Sequence, residues 1–84
     1  MNNGYVKVDA TGYDFSKSTQ QTITGLYAQI EQAVKTGKVI LLHGWNYDGK
    51  PLTPMFVYVM KSTNDYVIDG KIKVTSADKV SPLS

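Results

Sequence analysis

Apolar and polar positions take turns over Tyr5-Val6-Lys7-Val8-Asp9, the period-two signature of a short strand with one buried face. The alternation stops in the turn-rich Asp9-Ala10-Thr11-Gly12. Tyr13 and Phe15 then stand ahead of a helix start, placed to lie as a lid over one end of the core. Ser18-Thr19-Gln20-Gln21 fits a capping box, in which a hydroxyl accepts a backbone N–H and the glutamine three places on reaches back. From there Ile23, Leu26, Tyr27, Ile30, Ala33 and Val34 recur at helical spacing, leaving Gln29, Glu31, Gln32 and Lys35 on the wet side. The spacing predicts a helix over 18–36. Gly37 ends it by taking the left-handed conformation, and Gly25 falls inside it at a cost of up to ~1 kcal/mol relative to alanine.

Past the helix the period changes. Val39 to Leu42 is an uninterrupted apolar run, which predicts a strand covered on both faces in the interior of a sheet. A long connection from Gly44 to about Thr53 carries Trp45, Tyr47, Asp48-Gly49 and Pro51. Met55-Phe56-Val57-Tyr58-Val59-Met60 then reads as a strand with no polar face. A polar turn at Ser62-Thr63-Asn64 leads into Asp65-Tyr66-Val67-Ile68, and Asp69-Gly70 suits a two-residue type I′ hairpin, which needs positive φ at both positions. Lys71 to Thr75 alternates cleanly, and 77–84 reads as a tail tacked down by Val80.

The elements assemble into an α+β fold of order β-α-β-β-β-β: one helix on one face of a mainly antiparallel β-meander. A chain of 84 residues makes one domain, divided into an N-terminal strand and turn (1–13), a helix (18–36), a meander (38–76) and a tail (77–84). A core this small is thin. With two-sided apolar strands and one helix, a sheet face is left over, and contiguous apolar surface of that kind marks contacts between proteins. Met55, Val57 and Val59 are the candidate oligomer interface.

Composition narrows the chemistry. There are no cysteines, hence no disulfides, thiolate metal sites or thiol nucleophiles. The net charge is +2 and every cation is a lysine; without the planar fork of arginine, dispersed lysines argue against nucleic-acid readout. No apolar run is long enough to span a membrane, and the start Met1-Asn2-Asn3-Gly4-Tyr5 has neither the basic nor the apolar region of a signal peptide.

His43 is the only histidine, so no second imidazole or thiolate joins it in a metal site, and no G-x-S-x-G spacing offers a nucleophile. The acids stand singly, mostly in turns, where turn geometry accounts for them. The two Gly-Lys pairs, Gly37-Lys38 and Gly49-Lys50, lack phosphate-loop spacing. No cofactor and no metal are expected. One ligand site is a candidate: Trp45 and Tyr47 can stack on the flat face of a sugar while Asp48 fixes hydroxyls. The alternative is that Trp45 folds back over the end of the sheet, since an aromatic side chain buries ~150–250 Å².

The run of Asp14-Phe15-Ser16, a short helix over Ile23 to Val34, Ala33-Val34-Lys35-Thr36-Gly37-Lys38-Val39-Ile40-Leu41, a Tyr/Asp-Gly loop and a three-strand meander resembles small modules of bacteriophage virion proteins of the head-fibre, tail-fibre and baseplate type. The resemblance spans Asp14 to Thr75. It implies a non-enzymatic structural or attachment module that works as a homo-oligomer or on other virion proteins. Host-surface glycan is an alternative partner, and the place of action is the virion, or the bacterial cytoplasm before assembly. It carries over no catalytic residues.

Overall fold

A computed structural model describes residues 4–83; Met1, Asn2 and Asn3 of the N-terminal segment and Ser84 of the tail lie outside them. The alternating segment forms β1 (Tyr5–Asp9), followed by the two-residue β2 (Gln21–Thr22), the helix α1 (Leu26–Thr36) and β3 (Val39–His43). β1 lies parallel to β3, with Tyr5 opposite Val39 and Asp9 opposite His43. Such pairing requires a crossover instead of a hairpin, and α1 supplies it. A small hairpin of β4 (Asn46–Tyr47) and β5 (Lys50–Pro51) follows. Next, β6 (Met55–Val57) closes a three-stranded sheet of order β1-β3-β6.

The rest builds a second sheet. β7 (Val59–Ser62), β8 (Asp65–Ile68), β9 (Ile72–Val74) and β10 (Lys79–Pro82) run as an antiparallel meander. With β2 added beyond β10, the order is β2-β10-β9-β8-β7. The fold is thus α+β, one helix against mostly antiparallel strands, with more strands than the sequence suggests. Buried side chains from all layers meet in one cluster: Leu26, Ile30 and Ala33 of α1, Val8, Ile40, Leu42 and Val57 of the first sheet, and Tyr66, Ile68, Ile72, Val74 and Val80 of the second.

Four expectations are corrected. The helix begins at Leu26, not at 18. Gly25 takes φ 82, a left-handed conformation that cannot continue a helix, and so marks its start instead of weakening its middle. Gln21 does not close a capping box; its amide accepts Asp14 N–H at 2.9 Å and donates to Asp14 C=O at 3.0 Å. Thr22 and Gln21 are paired instead with Lys79 and Val80 of β10.

The tail is the second correction. Its Lys79–Pro82 stretch is a strand between β9 and β2, and Val80 is buried, as its apolar character predicts. Full burial of such a side chain stabilises by roughly 1.5–3 kcal/mol. The third is the single strand read over Met55 to Met60, which divides at Tyr58 between two sheets. Asp69 grips that corner twice: its carboxylate accepts Tyr58 N–H at 3.0 Å and its own N–H donates to Tyr58 C=O at 2.9 Å. The fourth is the long connection after Gly44. Asp48 (φ 54) and Gly49 (φ 78) turn it into a two-residue hairpin with Tyr47 opposite Lys50, whereas Asp69-Gly70 takes the expected positive φ (52 and 68) with Lys71 as a third loop residue, because Ile68 pairs with Ile72.

Candidate functional site

The aromatic loop is built inward. Trp45 is only 8% exposed and its indole N–H donates to Leu42 C=O at 3.0 Å. Its ring meets Phe15 edge-on at 4.5 Å, and Phe15 meets Tyr13 at 4.8 Å. Tyr13 and Phe15, the two rings the sequence expects as a lid, are thus joined by a third, Trp45. Trp45 is therefore a wall of the core, whereas Tyr47 stands 56% exposed on the hairpin. Asp48 is exposed too, at the tip. Of the three candidate ligand residues the structure leaves Tyr47 and Asp48 outside and withdraws Trp45.

A residue that sequence reasoning set aside holds this loop. Asp14, 8% exposed, accepts the N–H groups of Asp48 at 2.9 Å, Gly49 at 2.9 Å and Ser16 at 2.8 Å, together with the Ser16 hydroxyl. The Ser16 hydroxyl, then the Asp48, Gly49 and Ser16 amides, outweigh desolvation and hold its carboxyl well below the ordinary carboxylate range. The Asp-x-Ser spacing is its local signal; the partners 34 and 35 residues away leave none.

His43 sits half-buried opposite Asp9 at the end of the parallel pair. Asp9 is committed elsewhere: Thr11 donates both hydroxyl and N–H to one of its oxygens, and these bonds lower its pKa. Gly44 lies against that cluster. A Cβ there would stand 2.5 Å from Thr11 Oγ1 and 2.6 Å from Asp9 Oδ1.

The candidate interface is displaced by one residue. Val57 is buried at 7% exposure, Val59 is partly buried against the core, and Met55 is 40% exposed. The large exposed side chains are the intervening Phe56 (57%), Tyr58 (61%) and Met60 (58%). Val57 is hence corrected from interface to core: in a pleated strand alternate residues face opposite ways, and a continuous apolar run hides which set faces out. Phe56 lies opposite Leu41, Tyr5 lies opposite Val39, and the Tyr5 and Phe56 rings meet edge-on at 5.6 Å across the outer face of the first sheet.

Between the inner faces of the two sheets lies a cavity of about 220 Å³. Leu42, Trp45, Val57, Ile68 and Ile72 line it, with Phe15 and Met55, and Asp69 and Lys71 are the charged residues of its lining. No helix among the described residues is long and apolar enough to cross a membrane. The chain matches no protein-family model, and no curated protein or solved structure is significantly similar to it.

Proposed function

We propose that the protein is a non-enzymatic assembly module that associates with copies of itself through the outer face of the β1-β3-β6 sheet. The phage or prophage setting, with the virion or the host cytoplasm before assembly as its place, rests on the sequence resemblance. The observation that carries the assembly reading is a sheet face left uncovered: Tyr5, Val39 and Phe56 are 49%, 53% and 57% exposed on adjacent strands. The chain's own helix and C-terminal strand both contribute buried side chains to the core. Tyr5 and Phe56, about half exposed, offer on the order of 200 Å² of aromatic surface between them. That is a sizeable part of the roughly 800 Å² each partner contributes to a standard interface.

The test is the solution mass by light scattering, for the wild type and for Phe56→Lys. A wild-type oligomer that Phe56→Lys dissociates, with the circular dichroism unchanged, supports the proposal. A wild-type monomer at every concentration measured overturns it.

A further inference from the structure

We propose that the cavity between the two sheets binds a free α-amino acid with a large apolar side chain. The side chain seats against Trp45, and the charged head group is held at the rim between Asp69 and Lys71. The volume is the first reason. An apolar cavity of about 150 Å³ accepts benzene, so about 220 Å³ takes one aromatic ring or branched chain with room to spare. The space is smaller than the pockets that hold drug-sized molecules, which favours a compact occupant. Its walls are mostly aliphatic and aromatic, and an apolar side chain seated among them gains dispersion contacts with them.

The rim supplies the second reason. Asp69 and Lys71 carry opposite charges, and among the described residues no ion pair joins them. Asp69 holds the first place of its turn at φ 52 and gives one oxygen to Tyr58 N–H, and two residues on, Lys71, with its N–H bonded to Ile68 C=O at 2.9 Å, carries an exposed side chain. A carboxylate alone would meet repulsion from Asp69, and an amine alone would meet it from Lys71. A zwitterion with an ammonium and a carboxylate on one carbon is attracted to both, and its third substituent is free to enter the cavity.

Trp45 is the only tryptophan and forms part of the wall, so its emission, excited where phenylalanine is transparent, reports occupancy. The titration uses phenylalanine, phenylalaninamide (cation only) and N-acetylphenylalanine (anion only). The expected result is a saturable change with phenylalanine and binding about tenfold weaker for each analogue, the scale of one lost charge-assisted hydrogen bond. Asp69→Asn keeps an acceptor for Tyr58 N–H and a residue that tolerates positive φ; it weakens phenylalanine about tenfold and does not weaken N-acetylphenylalanine. Lys71→Met does the converse with phenylalaninamide.

No saturable response to phenylalanine overturns the proposal. Equal affinity for all three probes overturns it as well, since the cavity would then be filled without recognition of the head group. Neither result bears on the assembly reading, because Tyr5 and Phe56 lie on the opposite face of the sheet.

Discussion

Asp78 receives the backbone N–H of Tyr27 at 3.0 Å from 51 residues further along the chain. Its other oxygen accepts Gly25 N–H at 2.8 Å, and its C=O accepts Ile23 N–H at 3.0 Å. The first amides of a helix have no partner within it, and a carboxylate at that end is also favoured by the helix dipole. The last turn of the chain thus starts its only described helix. Because Asp78 has φ 63, Asp78→Gly removes the carboxylate without straining the backbone. The expected loss is about 1–2 kcal/mol, read as a lower urea midpoint with unchanged m-value.

Gly44→Ala tests the close approach of three segments. The added methyl would stand 2.5 Å from Thr11 Oγ1 and 2.6 Å from Asp9 Oδ1, at φ 85, so it combines a steric clash with a conformation that side chains resist. The expected cost is roughly 2–4 kcal/mol. Thermal melts of the two proteins would decide; an unchanged melting temperature would refute the packing described for β1 and the β3 end.

Stability should fall in acid partly through Asp14. Its folded pKa lies below the unfolded value of about 3.9 because the folded state binds the carboxylate form. The stabilisation is therefore whole above about pH 5 and fades as pH drops through the unfolded and then the folded pKa. Asp9 contributes with the same sign, through Thr11. Melting temperatures taken from about pH 6 down to about pH 2 should fall more steeply for the wild type than for Asp14→Asn. Equal slopes would show that the hairpin amides do not bind the charged form.

Trp45 and Tyr47 should separate in a stability assay. Trp45→Ala removes a core wall and the donor to Leu42 C=O and should cost about 3–5 kcal/mol. Tyr47→Ala, on the exposed hairpin, should stay within about 0.5 kcal/mol. Loss of glycan binding in Trp45→Ala would accordingly say little about a sugar site, whereas loss in Tyr47→Ala with the fold intact would argue for one.

Local patterns carried much of this protein. The alternation of Tyr5 to Asp9, the helical recurrence of Leu26, Ile30 and Ala33 and the Gly37 stop are each set by neighbours a few residues apart, and the structure keeps them. They suffice for the α+β class. Asp69-Gly70 keeps positive φ at both positions, but Ile68 pairs with Ile72, so its loop holds three residues instead of two. The Asp48-Gly49 hairpin was written in the same dipeptide chemistry and obscured by the length of the loop around it.

Tertiary structure decided everything that depended on distant partners. Ser18 to Gln21 satisfies the rule for a capping box, yet Gln21 and Thr22 are claimed by β10, and the cap comes from Asp78. The run from Met55 to Met60 has no polar face to show which side turns inward, so only pairing with Ile40 to Leu42 sends Val57 to the core and Phe56 to solvent. Asp14 looked like one more turn acid until the chain brought Asp48 and Gly49 to it. A backbone amide accepts whichever oxygen the fold delivers, and a strand without polar marks faces whichever way its neighbour directs. Sequence spacing therefore sets the elements, while long-range pairing sets their ends, their faces and the surfaces left for binding.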